Sequence, residues 1–158
     1  MRLQYASMNH HGIADELSLL LATEIRSLVH HLGASTPHLT AKTYPIWNDL
    51  KLLVEISEQH AERLSLLLDR LDLPPRPRPY PVQVAQFHYL TIEYLLLEMI
   101  EEKKGQLAAY RRAISHAGLN EDLVTELQSL LDENVAQLDS FEQCQRTLDT
   151  ATSPVSSD

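Results

Sequence analysis

A chain of 158 residues is the size of a single domain, and folding at that length buries about two thirds of the unfolded surface. Its net charge of −9 excludes nucleic acid and an anionic membrane as natural partners, since both call for a basic face; Arg76, Arg78, Lys103, Lys104, Arg111 and Arg112 are only local exceptions. The single cysteine, Cys144, excludes an internal disulfide and fits a reducing compartment, so a cytoplasmic protein is expected.

Leu, Ala, Glu and Gln are frequent and Gly is scarce, which favours an all-α fold. Residues 1–9 read as a loose lead-in. A first helix is predicted over about 10–32, with Ile13, Leu17, Leu20, Leu21, Glu24, Leu28, His31 and Leu32 on one face and Gly33 at its C-terminal cap. The apolar run from Leu17 to Ala22 is too short to cross a membrane and is bracketed by Asp15, Glu16 and Glu24. A loop with Pro37 leads to a second helix over 45–73, opened by Pro45. Its face of Ile46, Leu50, Leu53, Ser57, His60, Leu64, Leu67 and Leu71 alternates by three and four, the seam of an antiparallel bundle.

Pro74-Pro75-Arg76-Pro77-Arg78-Pro79-Tyr80-Pro81 cannot be helical, because proline lacks the N–H and crowds the preceding turn. An extended polyproline strap of about 25 Å is expected, long enough to carry the chain back along a bundle. A third helix follows over 82–117, with Val84, His88, Thr91, Ile92, Leu95, Met99, Glu102, Gln106, Ala109 and Ala113 on one side and Gly118 closing it. Asn120 caps a fourth helix over 120–149, whose face is Leu123, Leu127, Leu131, Asn134, Leu138, Phe141, Gln145 and Leu148. Residues 150–158 read as a disordered polar tail. The pattern predicts two helical hairpins joined by a Pro-rich crossover.

Polar residues interrupt each apolar face near its midpoint: Glu24, then Ser57 and His60, then Glu102 with Glu98 at its margin, then Asn134. Midpoints meet at one level in an antiparallel bundle, so these groups form a belt. A buried carboxylate must pair with a neighbour, with water or with a metal. Without metal, two such carboxylates repel, and one of them is expected to hold a proton near neutral pH.

This arrangement resembles the ferritin-like superfamily of bacterioferritins, rubrerythrins and DNA-protecting mini-ferritins, over about residues 10–150. That family carries a Glu on two helices and Glu-x-x-His on the other two. Glu24 matches the first-helix glutamate, and Glu98 or Glu102 the third. Glu55-Ile56-Ser57-Glu58-Gln59-His60 departs from the motif, with Ser57 standing where its glutamate belongs, and the fourth helix offers Asn134 and no histidine. The resemblance thus implies a metal site of Glu24, His60 and Glu102, with Glu98 in reserve, for Fe, Mn or Zn and without ferroxidase chemistry. The alternative is a metal-free structural or protein-interaction bundle held by a buried polar network.

Elsewhere the sequence is bland. His30 and His31 suit a helix C-terminus, and His10, His11 and Asp15 include one i, i+4 pair. The strap contains a Pro-x-x-Pro ligand pattern that a linker does not need. No phosphate loop, nucleophilic triad or cysteine cluster is present, so no residue set points to a particular enzymatic activity, and the reading leans away from an enzyme while leaving one open. The third helix is apolar nearly all round from Tyr89 to Ile100, and Leu90, Tyr94 and Leu97 on its reverse side predict a homodimer.

Overall fold

The computed structural model describes residues 2–32, 37–75 and 90–152, where one β-bridge between His38 and Thr91 accompanies structure that is otherwise helical. The helices are α1 (Arg2–Ile25), α2 (Leu28–Leu32), α3 (Tyr44–Arg70), α4 (Ile92–Ala117) and α5 (Glu121–Thr152). The expected all-α class is present, with four long helices.

Several boundaries differ from the sequence reading, each for a local reason. The lead-in expected at 1–9 is helical from Arg2. No proline or glycine precedes Gly12, so nothing stops propagation toward the N-terminus. The single helix expected to reach residue 32 breaks at Arg26–Ser27. Ser27 sits at the break, where its Oγ donates to the Glu24 carbonyl at 2.9 Å and accepts from the His30 N–H at 3.2 Å. One hydroxyl thereby closes α1 and caps α2.

The second helix ends at Arg70 rather than 73. Asp72 turns left-handed (φ 54°), and the N–H groups of Asp72 and Leu73 donate to the Asp69 and Leu68 carbonyls at 3.1 and 2.9 Å. Pro74 and Pro75 follow, exposed and non-helical; the rest of the strap, 76–81, lies outside the described residues. So do residues 82–89, the expected first turns of the third helix, with Val84 and His88. The described helix starts at Ile92, where Thr91 accepts from the Tyr94 N–H at 3.3 Å. Asn120 caps α5 as expected, accepting from the Leu123 N–H at 3.1 Å. Helix continues to Thr152, past the expected start of the tail at 150.

The helices pack around two apolar clusters. The first joins Ile13, Leu17 and Leu20 of α1 to the C-terminal half of α3, the C-terminal half of α4 and the N-terminal half of α5. The second joins Val29 and Leu32 of α2 to the N-terminal halves of α3 and α4 and the C-terminal half of α5. Both α3 and α4 therefore run from the second cluster toward the first. Between the clusters lies a polar layer.

Candidate functional site

Glu24 occupies the centre of this layer, fully buried one residue before α1 ends. Side chains from three other helices converge on its carboxylate. From α3, the Ser57 hydroxyl donates to Oε2 at 2.9 Å and His60 Nδ1 stands 3.5 Å from Oε1. From α4, the Tyr110 hydroxyl donates to Oε1 at 2.9 Å. From α5, Asn134 Nδ2 donates to Oε1 at 3.3 Å. Burial alone pushes the Glu24 carboxyl upward. The hydrogen bonds from His60 and Ser57 and the charges of Lys103 and His60 outweigh it and hold the group at about 2.

The countercharge is Lys103, only 2 % exposed. Its ammonium donates to Asn134 Oδ1 at 2.7 Å and to Gln106 Oε1 at 2.5 Å. Asn134 thus joins cation to anion: its Oδ1 accepts from Lys103 while its Nδ2 faces Glu24, His60 Nδ1 at 3.3 Å and the Leu130 carbonyl at 2.9 Å. Burial lowers the Lys103 pKa, and the Glu24 and Glu102 carboxylates oppose that. Burial raises the Tyr110 phenol well above its ordinary value, with the Glu24 charge adding to it, so Tyr110 is a neutral donor.

The layer reaches the surface through His60. Its Nε2 lies 3.1 Å from Glu133 Oε2, and Glu133 Oε1 accepts from Arg63 Nη1 at 2.6 Å and from Ser129 at 3.0 Å. Arg63 Nε also donates to Glu126 at 2.8 Å. This chain of contacts fastens α3 to α5.

Of the residues expected to hold a metal, the structure brings Glu24 and His60 together, with Ser57 and Asn134 beside them. Glu102 takes another task. Its Oε2 accepts the Leu28 N–H at 2.8 Å, filling a backbone donor opened by the break before α2. Burial raises the Glu102 carboxyl to about 7, against the Leu28 bond and the Lys103 charge, with Glu24 contributing the smallest push. Glu98 is exposed on the outer face of α4 and does not join the layer. Its wheel angle lay at the margin of the apolar face, and the true face turns the other way.

The donor set does not fit a metal ion. Four side-chain donors already surround Glu24, Glu102 is committed to a backbone N–H, and the Lys103 ammonium already supplies positive charge to the layer. Among the described residues no group of three or more His, Cys, Asp or Glu side chains is arranged to hold a metal.

Sequence reasoning missed Lys103 and Tyr110, and the signal for both was available. Leu96, Met99, Lys103, Gln106, Tyr110 and Ala113 follow one another at steps of three and four, and all are buried. Reading Lys103 as a surface charge hid that register. The surface partners of His60, Glu133 and Arg63, carry no such pattern in sequence. Of the expected outer residues, Tyr94 and Leu97 are half exposed, whereas Leu90 packs against the second cluster. Leu90 precedes the Thr91 cap, so helical angles do not apply to it.

Comparison with protein-family models, with curated proteins and with solved structures finds no significant match.

Proposed function

We propose that this chain is a metal-free bundle of ferritin-like architecture, acting as a structural or protein-interaction module that associates with its own copies. The observation that carries the reading is Lys103. A buried ammonium supplies, from the protein itself, the positive charge that a bundle of this kind otherwise takes from a bound ion. A resident cation beside Glu24 makes a second one unfavourable by simple repulsion.

In this reading the link between α3 and α4, which holds the Pro-rich segment, crosses the length of the bundle. Support comes from the clusters: α3 ends beside the first, while α4 begins beside the second. Self-association is supported by Tyr94 and Leu97, half exposed on the outer face of α4. A cytoplasmic setting is supported by the lone cysteine, and no helix among the described residues is long and apolar enough to cross a membrane.

The test is thermal unfolding of tag-free wild type and Glu24→Gln, each with and without Fe(II), Mn(II) or Zn(II). A ligand that binds only the folded state raises the midpoint by mass action. No ion is expected to move the wild-type midpoint. A shift in wild type that Glu24→Gln abolishes would overturn the reading and restore a metal held by Glu24 and His60.

A further inference from the structure

We infer that the outer face of α4 packs antiparallel against the same face of a second copy, about a two-fold axis lying between Gly105 and Ala108. The inference rests on the interaction-module reading and gives that module its partner and its register.

Three observations on this face converge. The first is exposed apolar surface at both ends of the helix. Tyr94 and Leu97 are 49 and 51 % exposed near its start, and Leu119, just beyond its end, is fully exposed. The second is a reversal of charge along the face. Glu93, Glu98 and Glu101 lie before the centre of the face, Lys104 lies beside the centre, and Arg111 and Arg112 lie beyond it. A parallel pairing sets like charges side by side; an antiparallel one sets each acidic half against a basic half. The third lies at the centre, where Gly105 and Ala108 are exposed. Glycine weakens a helix interior relative to alanine, yet a Cβ added at Gly105 meets nothing within 4 Å among the described residues. Nothing among the described residues asks for glycine there, whereas a second helix crossing closely does.

One register satisfies all three. With Gly105 opposite the partner's Ala108, Glu101 faces the partner's Arg112 and Tyr94 comes level with the partner's Leu119, just past the end of that helix. Because the axis is two-fold, every such contact occurs twice. Over the 26 residues of α4 the facing length is about 39 Å. The contacts these charges make within the protomer are replaceable. Glu101 pairs with Lys104 at 2.8 Å on the exposed surface, and Arg112 stands 3.8 Å from Glu16. The rival surface is a groove between α3 and α5 lined by Leu52, Leu53, Ile56 and Cys144, with Leu52 66 % exposed. It lacks a charge reversal of comparable length.

The experiment uses the full chain with Cys144→Ser, which removes the lone thiol, and adds single cysteines by Gly105→Cys, Tyr94→Cys, Leu119→Cys or Leu52→Cys. Light scattering at micromolar concentration is expected to give twice the 18.0 kDa mass. Under mild oxidation Gly105→Cys is expected to give a covalent dimer. Tyr94→Cys alone gives none, and a mixture of Tyr94→Cys with Leu119→Cys links the two chains. Leu97→Asp is expected to dissociate the dimer with helical content unchanged. A particle of single mass for the Cys144→Ser chain overturns both this pairing and the self-association behind it. A dimer that links through Leu52→Cys, or fails to link through Gly105→Cys, overturns this pairing alone.

Discussion

Glu102 makes the stability of this protein depend on pH in a direction opposite to that of most carboxylates. Its folded pKa is raised to about 7 from an ordinary 4.5, chiefly by burial. A raised acid stabilises the fold while it holds its proton. That contribution is whole below about 4.5, where the unfolded chain is also protonated, and it is lost as pH rises toward 7. The difference corresponds to about 3 kcal/mol, trimmed somewhat by the part of Glu102 that solvent reaches. For a chain of this size that is roughly 6–12 °C of unfolding midpoint. Glu102→Gln keeps an oxygen for the Leu28 N–H and removes the titration. Urea unfolding of both proteins from pH 4 to pH 8 is the assay, and their difference cancels every contribution the two proteins share. The two are expected to match near pH 4 and to diverge by about 1.4 kcal/mol per pH unit, with the variant ahead by about 3 kcal/mol above pH 7. Curves that stay parallel across the range refute the argument.

Two further substitutions test the layer and the helix break. Lys103→Met leaves the buried Glu24 carboxylate without its countercharge and is expected to cost roughly 3–5 kcal/mol; adding Glu24→Gln should recover most of it, and urea unfolding of the two singles and the double gives the coupling. Ser27→Ala removes the cap of α2 and the bond to the Glu24 carbonyl, and is expected to lower stability by about 1 kcal/mol with hydrogen exchange accelerated at Leu28–Leu32.

What the sequence disclosed and what it withheld follow from how each feature is encoded. The face of α3 was legible from Ile46 to Leu67 because a helix shows its period wherever leucines mark it. The Asn120 cap was legible for a similar reason, since an amide before two acids satisfies open N–H groups locally. Glu24, Ser57, His60 and Asn134 were found because each polar residue interrupts an apolar stripe. On α4 the same logic chose Glu102 over Lys103, its neighbour one step around the wheel. Adjacent residues differ by about 100°, and residue type was allowed to decide where register should have. The break at Ser27 was illegible because a serine within a helical pattern is ordinarily tolerated. What makes this one a boundary is the Glu102 carboxylate arriving from α4, 74 positions away. Tertiary contacts of that kind leave no trace in local periodicity.

The belt also bears on why a buried ion pair persists in a core that leucines fill well. An apolar replacement of such a pair often matches or exceeds its stability, so net energy alone does not account for it. Geometry offers a reason. The groups that satisfy Glu24 come from three different helices at one level, at 2.9 to 3.5 Å. Sliding any of those helices by one turn displaces its group by about 5.4 Å and strips the carboxylate of a donor. The leucine clusters on either side tolerate such a slide better, because one leucine can stand in for another. The double variant of Lys103→Met with Glu24→Gln separates the two effects: if register is what the charges secure, it keeps near-native stability yet loses chemical-shift dispersion in its core methyl groups. The cost of a displaced Glu24 falls on every misaligned packing and on none that is aligned, which is how a few polar groups select one register among several that leucines alone would accept.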